Sequence, residues 1–294
     1  MPVIVEKKSI SPRVKAQKKR PETREEKMIA ALSPNLNVMA EAVRRAGHSL
    51  IRDFCEISSL QVSRKGPGDF VSNADIMAEK KLIAYLKEAR PDYAFVSEEC
   101  GELKSEHASR MKWVIDPIDG TTNFLHAIPI FSLSVALMDG EEVIAGVIYN
   151  PVTNELYYAE KGQGAFLMTP GGNRRLRVSG RSRLDYALLG SNAFGDPKNR
   201  EIVAHFSDKV ASTRFNGCTT LSLASVAAGQ LDAYIACHFK LWDVAAGYLL
   251  VKEAGGYISD FNQNRGLLDM LDSQTMITTN MMLKDPFLKE LEGK

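Results

Sequence analysis

No stretch of this 294-residue chain is apolar for long enough to span a bilayer, and its first residues lack the apolar core of a secretory signal. A soluble, cytoplasmic protein is therefore expected. Cysteine is scarce: Cys55, Cys100, Cys218 and Cys237 stand far apart with no Cys-x-x-Cys spacing. That argues against a disulfide framework and favours reduced thiols, buried as small apolar groups. The five histidines are scattered without metal-ligand spacing, which argues against zinc. Gly162 and Gly164 belong to no phosphate-loop or dinucleotide fingerprint. Net charge is only +1, so no overall field points to nucleic acid.

What the chain does have is 45% hydrophobic and 25% charged residues, the balance of a globular protein. Its charge is uneven. Residues 1–27 hold nine Lys/Arg against four Asp/Glu and lack helical or strand periodicity. They read as a basic, disordered leader, either an inert tail or an anchor for RNA or membrane. Residues 28–294 are expected to form one domain. Apolar spacing predicts helices over 36–57 and 74–89, with Ser63–Gly68 as a break between them. Strands are predicted at 93–96, 113–115, 131–137, 143–149, 155–159 and 164–168, with Asp139-Gly140 turning one hairpin. The second half predicts strands at 186–190, 233–236, 257–259 and 276–279. Its helices are expected over 199–210, 221–228 and 244–253, with a last one after Pro286. Interspersed strands and helices imply stacked sheet and helix layers, an α/β (α+β) class.

The richest segment is Asp116-Pro-Ile-Asp-Gly-Thr-Thr-Asn-Phe124, placed where a predicted strand ends. Two carboxylates three residues apart, then a glycine and two hydroxyls, suit hard divalent cations beside a phosphate bound at a helix start. Taken alone, Asp116 and Asp119 are equally a helix cap and a first-turn acid, and Thr121 and Thr122 a cap. Three further segments accompany it: Asp69-Phe-Val-Ser-Asn-Ala-Asp75, Phe95-Val-Ser-Glu98-Glu99 and Trp242-Asp243-Val-Ala-Ala-Gly247. Asp75 alone also reads as a cap for the helix that follows it.

In type and order these four segments resemble the signatures of the inositol monophosphatase family, from about residue 28 to the end. The resemblance implies the layered α-β-α-β-α sandwich of the inositol monophosphatase and fructose-1,6-bisphosphatase type. Residues 28–184 would hold most metal ligands, and residues 185–294 would close the site. It implies an Mg²⁺-dependent, lithium-sensitive phosphoric monoester hydrolase, with two or three ions per site. Glu98, Asp116, the Ile118 carbonyl, Asp119 and Asp243 would be the metal ligands. Thr121, backed by Asp75, and Glu98 would orient the attacking water, with no covalent phosphoenzyme. Asp119, Gly120, Thr121, Thr122, Arg214, Gly217, Cys218, Thr219 and Asp243 would contact substrate, with the 232–241 stretch nearby. Arg64 or Lys65 is a further candidate at the mouth.

The chain departs from the pattern at Ala236, where inositol-type members often carry a glutamate seven residues before the aspartate matching Asp243. Loss of a matched polar contact costs about 1–3 kcal/mol, enough to redirect specificity. His238 or Lys240 is a candidate replacement. The expected substrate is a small phosphorylated polyol, inositol-1-phosphate first. Histidinol phosphate, fructose 1,6-bisphosphate and 3′-phosphoadenosine nucleotides are rivals. A homodimer is implied, with no membrane partner. A regulatory role with transcription or ribosome machinery is the alternative of a different class.

Overall fold

Alternation of side chains along Met111–Asp119 sets the layering: Trp113 and Ile115 enter one core, and Val114 between them enters another. A computed structural model describes residues 23–56, 62–66, 69–105, 109–192 and 197–292. Within them, α1 (Arg24–Ala30) and α2 (Pro34–Cys55) precede the hairpin β1 (Val62–Gly66) and β2 (Asp69–Ser72). Then come α3 (Asn73–Ala89), β3 (Ala94–Ser97), β4 (Gly101–Leu103), β5 (Met111–Asp119) and α4 (Thr121–Leu125). An antiparallel run follows: β6 (Ser132–Asp139), β7 (Glu142–Asn150), β8 (Glu155–Glu160), β9 (Gly164–Thr169) and β10 (Gly172–Arg175). The second half holds β11 (Leu188–Ser191), α5 (Pro197–Ser207), β12 (Ser212–Arg214), α6 (Thr219–Ala227), β13 (Ala233–Cys237) and α7 (Leu241–Glu253). It ends with β14 (Tyr257–Ser259), α8 (Leu267–Ser273), β15 (Thr275–Thr279) and α9 (Lys284–Leu291).

The large sheet runs β10-β9-β8-β7-β6-β5-β3-β4, antiparallel except for the β3/β5 pair. The smaller sheet runs β12-β11-β13-β15-β14. Helices α2 and α3 bury Met39, Val43, Leu50, Leu82 and Leu86 on one face of the large sheet. Helices α6 and α7 fill the space between the sheets, where Leu223, Val244 and Leu250 meet Val114 and Ile148 on one side and Tyr234 and Met276 on the other. A third core packs Ile202, Phe206 and Phe287 of α5 and α9 on the outer face of the small sheet. The layers are therefore α-β-α-β-α, as the sequence resemblance implies. Small residues, among them Ala224, Ala227, Ala245, Ala246 and Gly247, let α6 and α7 pack closely. A Cβ at Gly247 would overlap Leu223 of the neighbouring helix.

Several boundaries moved. The segment expected as leader ends in helix: Thr23 caps α1 and exchanges bonds with Glu26, so residues 24–27 are helical. Residues 1–22 of that expectation lie outside the described residues. The predicted break at Ser63–Gly68 belongs to a hairpin over its described positions. Strands β4, β10 and β12 and helix α8 were not foreseen, being only three to seven residues long. Pro286 lies within the first turn of α9 rather than before it, where its missing N–H leaves no helical bond unmade. Cys218 and Cys237 are buried as expected, but Cys55 and Cys100 are exposed; all four are free thiols.

Candidate active site

Strand β5 does not stop before the acidic segment but carries it. Asp116 pairs with Ser134 and Asp119 with Ser132, and the register slips between them. This bulge, opened by Pro117, which has no N–H to give, turns the chain out of the ladder. Gly120 follows with φ of 95°, and α4 begins at Thr121. A Cβ on Gly120 would stand 2.9 Å from the Ile130 carbonyl oxygen and 3.2 Å from that of Gly217. Strain and collision therefore coincide at one residue. Gly120→Ala should lose about 2–3 kcal/mol of stability and most of the activity. A thermal melt that stays at the wild-type midpoint would remove this argument.

Asp116 is 2% exposed, and its Oδ1 atom has no hydrogen-bond partner. Burial first, then the charges of Asp119, Glu98, Asp243 and Asp75, push its pKa well above the usual carboxylate range. Asp119 is half-buried. Its pKa is raised by burial and pulled back by donors: the Thr220 amide and hydroxyl, each 2.6 Å from Oδ2, the Cys218 thiol 3.2 Å from the same oxygen, and the Thr219 amide. Asp243, in the first turn of α7, accepts the Lys240 amide at 2.7 Å. Burial, then the charge of Asp119, pushes it up to about 7. Glu98 is half-buried and enters through the parallel β3/β5 register, where Ser97 lies opposite Ile115 and the next residues are Glu98 and Asp116.

Asp75 is fully buried in the first turn of α3, not at its cap. The Thr121 hydroxyl lies 3.1 Å from Asp75 Oδ1 and 2.9 Å from the Ile118 carbonyl, and its single proton serves one acceptor at a time. Asn123 clamps α4 to the neighbouring loop, donating to the Ile130 and Asn216 carbonyls at 2.7 Å each. Gly217, at φ of 69°, therefore lies against the acidic turn, and Cys218 and Thr219 lead into α6.

The structure thus brings Asp75, Glu98, Asp116, Ile118, Asp119, Gly120, Thr121, Thr122, Gly217, Cys218, Thr219 and Asp243 to one region. Arg214 is exposed on the edge strand β12, and its guanidinium folds back onto Ser212 and the Thr213 carbonyl of its own strand. Asp232 opens the 232–241 stretch, just before β13. It is fully buried, accepting from Ser179, Arg181 and the Leu188 amide. Ala236 is sealed in the core between the sheets. The side chains of Arg64, Lys65 and Asp69 lie outside the described residues. Sequence reasoning missed Thr220, Asn123 and Glu79. Glu79 carried a signal, since an acid four residues after Asp75 falls on the apolar stripe of Ala78, Leu82 and Leu86.

Among the described residues, no three acidic, His or Cys side chains are drawn together closely enough to form a metal-holding group. The carboxylates are nevertheless near enough to raise one another's pKa, and Asp116 keeps a buried oxygen without a partner. Such an excess of hard anionic oxygen in a buried place fits Mg²⁺.

A model of the inositol monophosphatase family matches residues 31–293. An inositol-1-monophosphatase of Mesorhizobium japonicum is 43% identical over 267 residues, spanning 89% of this chain and 97% of the relative. A Nus factor SuhB of Xylella fastidiosa is 41% identical over 236 residues, 78% of this chain and 82% of the relative. Among solved structures, the extragenic suppressor protein SuhB of Bartonella henselae superposes with a TM-score of 0.83 at 39% identity, covering 89% of this chain and 99% of that one.

Proposed function

The chain belongs to the inositol monophosphatase family, and from that premise we propose that it is an Mg²⁺-dependent phosphomonoesterase of small phosphorylated polyols, inositol-1-phosphate first. The observation that carries this is the bare Asp116 oxygen among acids that repel it. Glu98, Asp116, the Ile118 carbonyl, Asp119 and Asp243 are the residues that would hold the cations. Bound Mg²⁺ would supply Lewis-acid activation of water and neutralise charge on the phosphate.

The chain's own groups do the rest. Thr121, by giving its proton to Asp75, turns its lone pairs outward to hold a water in line with phosphorus. The first amides of α4 have no helical acceptor and cradle phosphate oxygens. Thr220 and Cys218 hold one oxygen of Asp119, which fixes the direction of the other. No nucleophilic side chain is required, because water attacks directly. Thr121→Val should lower kcat about 10²-fold with little change in KM, and Thr121→Ser should restore most of it. Equal losses in both variants would end this role for the hydroxyl.

Gly217, Cys218 and Thr219 are the leaving-group contacts we propose. With Ala236 in the core, no carboxylate from that position reaches the polyol, which keeps histidinol phosphate, fructose 1,6-bisphosphate and 3′-phosphoadenosine nucleotides in contention. A panel of these phosphates, run with Mg²⁺ titrated from zero and with Li⁺ as inhibitor, ranks them. No turnover of any phosphomonoester defeats the proposal. The Nus-factor name of a 41% identical relative favours one second reading, a regulatory homodimer on transcription machinery. Pull-downs with full-length chain, and with a chain lacking residues 1–27, test it.

A further inference from the structure

We infer that Glu79 is a positioning residue for Glu98, setting the chain's affinity for divalent cation from a place that touches neither metal nor substrate. The inference rests on the metal-dependent reading above. Glu79 is 1% exposed and lies one helical turn beyond Asp75 on α3. A buried carboxylate needs donors, and here every recorded one comes from the turn that joins β3 to β4. Glu79 Oε1 accepts the Ser97 hydroxyl, the Glu99 amide at 3.0 Å and the Cys100 amide at 3.3 Å. Oε2 accepts the Cys100 thiol at 2.7 Å. These bonds fall on both flanks of Glu98.

The turn needs such a clamp. Ser97 is the last residue of β3 to pair with β5, and Gly101 turns the chain back at φ of 70°. Between them the main chain leaves the ladder, and its amides look for acceptors. A single carboxylate supplies them from the helix that also carries Asp75. Helix α3 therefore sets two groups of the site at once: Thr121 through Asp75, and Glu98 through Glu79. A side chain without an acceptor at 79 would leave the turn amides unpaired and let Glu98 swing.

The test is calorimetric titration of Mg²⁺ into the purified full-length chain, with kinetics alongside. Glu79→Ala should weaken Mg²⁺ binding by about 10-fold or more, the usual consequence of losing a residue that orients a metal ligand. Substrate KM at saturating Mg²⁺ should stay within about twofold, since that residue meets no substrate. Glu79→Gln keeps shape and one acceptor oxygen, and should fall between Ala and wild type; it keeps the test standing if the alanine variant does not fold. Leu82→Ala, on the same buried stripe one turn on, destabilises without touching the turn and should bind Mg²⁺ as wild type does. The inference is overturned if Glu79→Gln and Glu79→Ala bind Mg²⁺ normally, or if Leu82→Ala weakens binding as much. A wild-type chain with no Mg²⁺ isotherm overturns the metal reading itself, and this inference with it.

Discussion

Asp116→Asn is expected to abolish Mg²⁺-dependent turnover, by about 10³-fold or more, while making the metal-free protein harder to unfold. Both effects come from one charge. Asp116 is buried at the end of β5 with an unpartnered oxygen, and Asp119, Glu98, Asp243 and Asp75 all oppose its ionisation. Asparagine resembles the protonated acid in shape and charge, so it relieves that repulsion without opening a cavity. Its amide also gives the neighbouring carboxylates a donor. Metal charge stabilisation is worth several kcal/mol at the transition state, and each 1.4 kcal/mol is a factor of ten. The opposite signs make the result diagnostic. A variant that merely damages the fold loses activity and melting temperature together. Unchanged turnover, or a lowered melting temperature with lost turnover, would count against Asp116 as the central cation ligand.

The parts of this site legible in the sequence are those written in contiguous residues. Asp116 through Phe124 announced a turn rich in oxygen donors, and period-two and helical spacing located most core elements. What escaped depends on distance in sequence. Thr220 reaches Asp119 across 101 positions, and Glu79 reaches the Glu99 amide across 20. Neither pairing has a local pattern. Arg214, expected beside Gly217, Cys218 and Thr219 as a substrate contact, lies on the edge strand with its guanidinium bonded to its own neighbours, a conformation that no local pattern announces. The short elements β4, β10 and β12 have three or four residues each, too few for alternation to be seen. Helix α1 was hidden by the basic composition around it, although Thr23 and Glu26 carried the spacing of a capping box.

Metal-free protein should become less stable as pH rises from about 4 through about 7, and Mg²⁺ should reverse that loss. A carboxyl whose native pKa exceeds its unfolded value binds its proton more tightly when folded. Its contribution is complete below the unfolded value, near 3.8 for aspartate, and disappears as pH passes the native value, about 7 for Asp243. Asp116 and Asp119 shift in the same direction, so the three reinforce one another. Surface pairs work the other way: Asp185 beside Arg183 and Glu290 beside Lys209 and His205 have lowered values and favour higher pH. Their contribution is exposed to solvent and is screened by salt, whereas the acidic site is not. Melting curves in 0.5 M salt (~4 Å screening length) therefore isolate the buried acids. On the function proposed above, Mg²⁺ would bind only the ionised, folded site, and at 100 times its dissociation constant would add about 2.7 kcal/mol. For a chain of this size that is roughly 4–5 °C. The increment should be large at pH 8 and small at pH 5, and Asn at position 116 should flatten both the pH slope and the Mg²⁺ response. An Mg²⁺ increment equal at the two pH values would mean that proton and cation do not compete for these oxygens, and the acids would then have no part in holding metal.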